Sequence, residues 1–178
     1  MAYQQLKTKH RALRESFHQN LSLRTHRALS WLDKAEQSVE DLDIQFISLW
    51  IAFNAAYATD IDAQYRTTER GMFESFFEKL LELDNENHLY NLVWAEFSST
   101  IRLLLNNQFI FQPFWDYQNG IIAEEDWKAD FNNSKKRAAQ GLGNKNTPLV
   151  LSVVFRRVYT LRNQIIHGGA TWNIDLPQ

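Results

Sequence analysis

Chain breakers are scarce in this sequence: its 178 residues include six glycines and three prolines. Long stretches can therefore stay helical, whereas an all-β chain needs a turn signal about every 8–12 residues. With 44% hydrophobic and 13% aromatic residues, the chain can bury a core and is not composed like a disordered segment. These features predict an all-α fold, and the length suits one domain spanning residues 1–178.

Periodicity divides the chain into helices. A first helical region covers about Leu6 to Ser38, broken near Asn20-Leu21-Ser22. Asp41 or Asp43 can cap the next helix, which runs to about Ala58. That helix is apolar nearly all round (Ile44, Phe46, Ile47, Leu49, Trp50, Ile51, Phe53, Tyr57), the signature of a position in the middle of a bundle. Thr59 to Arg66 reads as a loop. Thr67 or Thr68 can cap a helix through Leu83 that buries Met72, Phe73, Phe76, Phe77, Leu80 and Leu81. A helix from about Asn87 to Leu105 follows. Residues 108–123 are aromatic and irregular, a packed connection or a short helix. Glu124-Glu125-Asp126 supply the negative charge favoured at a helix N-terminus. Gly141 to Asn146 reads as a loop, and Thr147-Pro148 as N-cap and first-turn proline of a last helix reaching about Ile166.

At about 100° per residue, Leu151, Val154, Phe155, Val158, Arg162 and Ile165 share one stripe of that last helix. A guanidinium in an apolar stripe must be paired or open into a cleft. Val153, Arg156, Thr160, Asn163 and His167 form a second series well round the helix. Its exposed part, Val153/Thr160/Asn163, would accept a symmetric neighbour. Arg162 and His167 then diverge by roughly 140° on a regular helix. Gly168 suits a left-handed C-cap. Read alone, the pair fits either phosphate chemistry or a capping histidine beside an arginine tied to a carboxylate.

Charge is unevenly distributed. Residues 1–34 hold seven basic and two acidic residues (net +5); residues 35–134 hold five and eighteen (net −13); residues 135–178 hold seven and one (net +6). A polyanion would approach the ends and avoid the middle, or opposite faces would pair with each other. No cysteine is present, which excludes disulfides, thiolate catalysis and cysteine-based zinc sites and fits a cytoplasmic location. Met1 to Asn20 is charged and lacks the apolar core of a secretory signal. The longest apolar run, Phe46 to Ala58, is interrupted by Ser48 and Asn54 and is too short to span a bilayer. No membrane partner is expected.

Val154 to Trp172, with Arg162, the polar Asn163 directly after it and His167-Gly168, resembles the signature helix of HEPN domains. Phe46 to Tyr57 resembles the inner helix of the Apea-like and related bacterial branch of that family. The two segments cover roughly a sixth of the chain. The resemblance implies an antiparallel helical bundle with additional helices inserted between the second and last core helices, dimerising through the motif helices. It implies either a metal-independent endoribonuclease, as in toxin–antitoxin systems and phage defence, or an inactive module binding RNA, a nucleotide or a protein partner such as an antitoxin. Carried over by position, Arg162 and His167 are the catalytic pair and Asn163 their polar companion. The tail after Trp172 is short, Asn173 to Gln178.

These residue types suit RNA cleavage. RNA carries its own nucleophile, the 2′-hydroxyl. Histidine titrates nearest neutral pH and can move protons as general acid or base. Arginine can clamp two phosphate oxygens in a bidentate fork. Asn163 can orient the imidazole or donate to the phosphate. Neither metal nor cofactor is expected: His10, His18, His26 and His88 lack ligand spacing, and Asp60/Asp62 is a lone acidic pair. Asn54, inside the most apolar helix, needs a partner for its amide, either Arg162 or a neighbouring backbone. Lys145, Arg156 and Arg157, with Lys135, Lys136 and Arg137, either guide an RNA backbone or form a solvated basic face.

Overall fold

The computed structural model describes residues 2–57 and 69–169, except for the side chains of residues 69–72 and 74. The expected loop Thr59–Arg66, the caps Thr67 and Thr68, the Met72 side chain, the pair Asp60/Asp62, the Ala170–Trp172 end of the motif and the tail lie outside the described residues. The protein is all-helical, and the described residues contain no strand. The described chain falls into two compact units, one within residues 1–66 and one within residues 67–169.

The first unit consists of α1 (Ala2–Leu13), a 3-10 turn (Arg14–Ser16), α2 (Gln19–Glu36) and α3 (Leu42–Tyr57). The break falls at Phe17-His18, earlier than the expected Asn20. His18 rather than a serine or asparagine caps α2, its Nδ1 accepting from the Asn20 amide at 3.4 Å. Asp41 caps α3 as expected, its carboxylate accepting from the Ile44 amide at 3.0 Å. Gln45 donates to the Ala35 carbonyl at 3.3 Å, and the Arg24 guanidinium donates to the Ala56 carbonyl. The end of α2 therefore meets the start of α3 and vice versa, so the pair is antiparallel. The Tyr3 amide donates to Glu36 at 2.9 Å, which turns α1 back along α2 as well. α3 is not enclosed on all sides: Trp50, Ala52 and Ser48 are buried, but Leu42 is 71% exposed and Leu49 is exposed too. Its apolar composition overstated its burial.

The second unit is organised round α9 (Thr147–Ile166), against which α4 (Glu69–Leu83), α6 (Ser98–Asn106) and α8 (Glu124–Gly143) all pack. α4 brings Phe73 and Phe77 to Phe155 of α9, with ring centroids 6.1 and 4.7 Å apart. Asp84 accepts from the His88 and Leu89 amides, starting the short α5 (His88–Asn91). The helix expected from Asn87 to Leu105 is interrupted by a π turn (Leu92–Glu96), closed by the Phe97 amide on the Leu92 carbonyl at 2.9 Å. The aromatic stretch becomes a 3-10 turn (Gln108–Ile110) and α7 (Gln112–Gln118). There Phe114 meets the Trp127 ring edge-on at 5.2 Å.

Two expected boundaries shift. Gly141 and Gly143 belong to α8 rather than to a loop. A Cβ on Gly141 would come within 3.2 Å of Val150 Cγ2, so this glycine is where α8 and α9 approach closely. The N-cap of α9 is Asn146, which accepts from the Leu149 amide at 3.0 Å. Thr147 is already helical, and its hydroxyl accepts from the Trp94 indole at 2.9 Å.

Candidate functional site

α9 presents its polar residues in an order that the 100° periodicity misassigns. The stripe expected to be its apolar core side, from Val154 through Arg162 to Ile165, is only half-buried. The inner face is Val150, Val153, Arg157, Thr160 and Gln164, all buried. Val153 and Thr160 are therefore not part of an exposed dimerisation stripe, and the buried arginine is Arg157 rather than Arg162.

Arg157 is 2% exposed. Its Nη2 donates to the Ser134 hydroxyl at 3.3 Å and, at 3.5 Å, points to the Leu105 carbonyl. Its guanidinium carbon lies 4.2 Å from the centre of the Phe111 ring and 5.1 Å from that of Phe131. Nη1 is buried and meets no hydrogen-bond acceptor among the described residues. Burial, and secondarily the like charge of Arg156, pull this guanidinium down from the usual arginine range to about 10.

Beside Arg157 the second unit opens into a cavity of about 730 Å³. Among the described residues its polar lining includes Arg137, Arg156, Asn163, Ser134 and one carboxylate, Asp130; Phe73, Phe111 and Tyr159 supply apolar wall. α8 delivers Asp130, Ser134 and Arg137 at positions i, i+4 and i+7 of one face. α9 delivers Arg156, Thr160 and Asn163 in the same way. Four of the predicted or considered cationic and polar residues thus come together: Arg137, Arg156, Arg157 and Asn163.

The others stand apart from the cavity. The Arg162 guanidinium lies 4.7 Å from the centre of the Tyr159 ring, on the half-buried side of α9. His167 is exposed at the C-cap, its amide bonded to the Asn163 carbonyl at 2.9 Å. Gly168 follows with φ of 74°, and the Gly169 amide bonds the Gln164 carbonyl at 2.7 Å, a Schellman end. Lys145 occupies the α8–α9 turn at φ 51°, its ammonium 6.0 Å from the centre of the Tyr90 ring. Asn54 is half-buried on α3 of the first unit. Asp130 and Ser134 are functional candidates that the sequence reading missed, and Arg137 was weighed only as part of a basic run. Their shared face with Arg137 was visible as helical spacing, but the direction of that face was not.

No protein-family model, curated protein or solved structure matches this chain. Among the described residues, no helix is long and apolar enough to cross a membrane.

Proposed function

We propose that this chain is a HEPN-type, metal-independent endoribonuclease in which His167 is the general acid or base and Arg162 steadies the phosphate. The observation that carries the reading is the end of α9. His167 is held by a glycine-terminated cap at the solvent, one turn beyond Asn163, which lines a cavity rich in arginine. An imidazole so placed can reach a ribose 2′-hydroxyl, and the neighbouring guanidinium groups can attract the backbone. Five residues apart, Arg162 and His167 are separated by about 7.5 Å along the helix and about 140° around it. Their cooperation on one phosphate therefore calls for a second copy of α9, as a homodimer in a cytoplasmic toxin–antitoxin or phage-defence setting would supply.

The test is incubation with single-stranded RNA in EDTA, followed by end-group analysis. Wild-type protein should leave 2′,3′-cyclic phosphate ends. His167→Ala should lower the rate by roughly a hundredfold or more with an unchanged unfolding midpoint. Undiminished cleavage by His167→Ala would sink the reading. A second reading, an inactive module that binds without cutting, draws on the stacking of Arg162 over Tyr159; it predicts RNA retention with intact ends.

A further inference from the structure

Three residues before His167, α9 turns an amide inward. Gln164 is 8% exposed, and its Oε1 is buried with no hydrogen-bond partner among the described residues. An apolar side chain of the same length would fill that place without an orphaned oxygen. The other end of the amide accounts for the choice: Nε2 donates to the Phe109 carbonyl at 2.5 Å. That carbonyl is itself held within its own segment. The Trp115 indole donates to it at 2.7 Å, and the Phe109 amide donates to the Asn107 side chain at 2.9 Å. The Phe109 ring meets Phe114 edge-on at 5.5 Å, and Phe114 in turn meets Trp115 and Trp127. The 3-10 turn and α7 thus form a corner clamped by hydrogen bonds and ring contacts.

The backbone of the same glutamine closes the helix. Its carbonyl accepts from the Gly169 amide at 2.7 Å, the bond that completes the glycine-terminated end. A Cβ on Gly169 would lie 3.4 Å from Gln164 Cα, so the chain folds back directly onto this residue. His167 lies inside that turn, its amide bonded to the Asn163 carbonyl. Gln164 therefore makes two ties. Its backbone holds the turn around His167, and its side chain holds that turn to a corner 55 residues earlier in the chain. Helix ends fray, and any unwinding past Gln164 would carry His167 with it. A misplacement of about 1 Å at a reacting group can cost about a hundredfold in rate.

We infer that Gln164 is a positioning residue: its hydrogen bond to the Phe109 carbonyl holds the glycine-terminated end of α9, and with it His167, in a fixed place beside Asn163. Both ties lie within the second unit of one chain. The consequence for catalysis rests on the cleavage reading above; the tie itself does not.

The experiment is amide hydrogen exchange of the full chain, read by NMR at Gly169, with Val150 in the first turn of α9 as the control. Gln164→Met keeps the length of the side chain and removes the donor. Gln164→Glu keeps the shape. At about pH 7.5 its carboxylate can only accept, whereas at about pH 4.5 a buried carboxyl is protonated and can donate again. Gly169 protection should fall at least about fivefold in Gln164→Met, with Val150 unchanged. In Gln164→Glu it should fall at the higher pH and return at the lower one, a recovery that lost packing would not show. Should Gln164→Met unfold, the two pH values of Gln164→Glu carry the test. With RNA as substrate, Gln164→Met should lower kcat roughly tenfold or more and leave KM within about twofold. Unchanged Gly169 protection in Gln164→Met, an equal loss at Val150, or the same protection in Gln164→Glu at both pH values would overturn the inference. Wild-type kcat in Gln164→Met would overturn it too. If the wild-type protein cuts no RNA, the cleavage reading falls and Gly169 protection alone decides the tie.

Discussion

α3 and α9 are the two most apolar long helices of the chain, and they use that character in opposite ways. α3 carries almost nothing but apolar side chains, yet leaves Leu42 and Leu49 in solvent and buries Ser48. α9 is interrupted by arginine, threonine and glutamine, yet turns Arg157, Thr160 and Gln164 inward. Burial is decided by which neighbours surround a helix, three for α9 in its own unit and chiefly α2 for α3. A helix that hides polar groups when apolar ones are available on its other faces gives up stability there. The second unit keeps a charge where a hydrocarbon would pack.

The largest effect that would sharpen this contrast is expected in α3. Trp50 is 4% exposed, so Trp50→Ala should cost about 3–5 kcal/mol in a denaturant melt. A loss below ~1 kcal/mol would mean that α3 has no core of its own. Arg157→Met should do the reverse. Removing a buried cation with no carboxylate partner among the described residues should leave stability unchanged or raise it by about 1–4 kcal/mol at neutral pH. The pH dependence has a definite sign. In the folded protein the Arg157 guanidinium gives up its proton near pH 10, before the unfolded chain does, so the folded state is relieved of its buried charge as pH rises through that value. The advantage of Arg157→Met over wild type should accordingly shrink above pH 10. A variant several kcal/mol less stable than wild type would make Arg157 a structural tie. The smallest effect belongs to Leu42, 71% exposed: Leu42→Ser should change stability by no more than about 0.5 kcal/mol.

Much of the helical plan is legible in the residues. Asp41 caps α3, the acidic run opens α8, and α9 ends at His167-Gly168, because each signal acts within one turn of chain. What escapes is whatever depends on a partner. Gly141 and Gly143 look like a loop, but the close approach of Val150 turns the first into a packing residue. Asn146 and Thr147 compete for one cap, and Trp94, 53 residues away, takes the threonine hydroxyl. The sequence puts Arg162 in the apolar stripe and Arg157 outside it, and only the positions of Phe111, Phe131 and Ser134 reveal that Arg157 is the buried one. The face of α8 that completes the cavity is periodic and readable, but its orientation is set by α9.

The π turn at Leu92–Glu96 has a consequence for how this unit tolerates change. A wide turn accommodates one residue more than regular winding would. Trp94, inside it, meets the first turn of α9. Deleting a single residue between 92 and 96 would tighten the turn to regular winding and re-aim the indole relative to its anchor. At this spot chain length sets the aim of one side chain, so a lost residue would be felt where Trp94 meets Thr147.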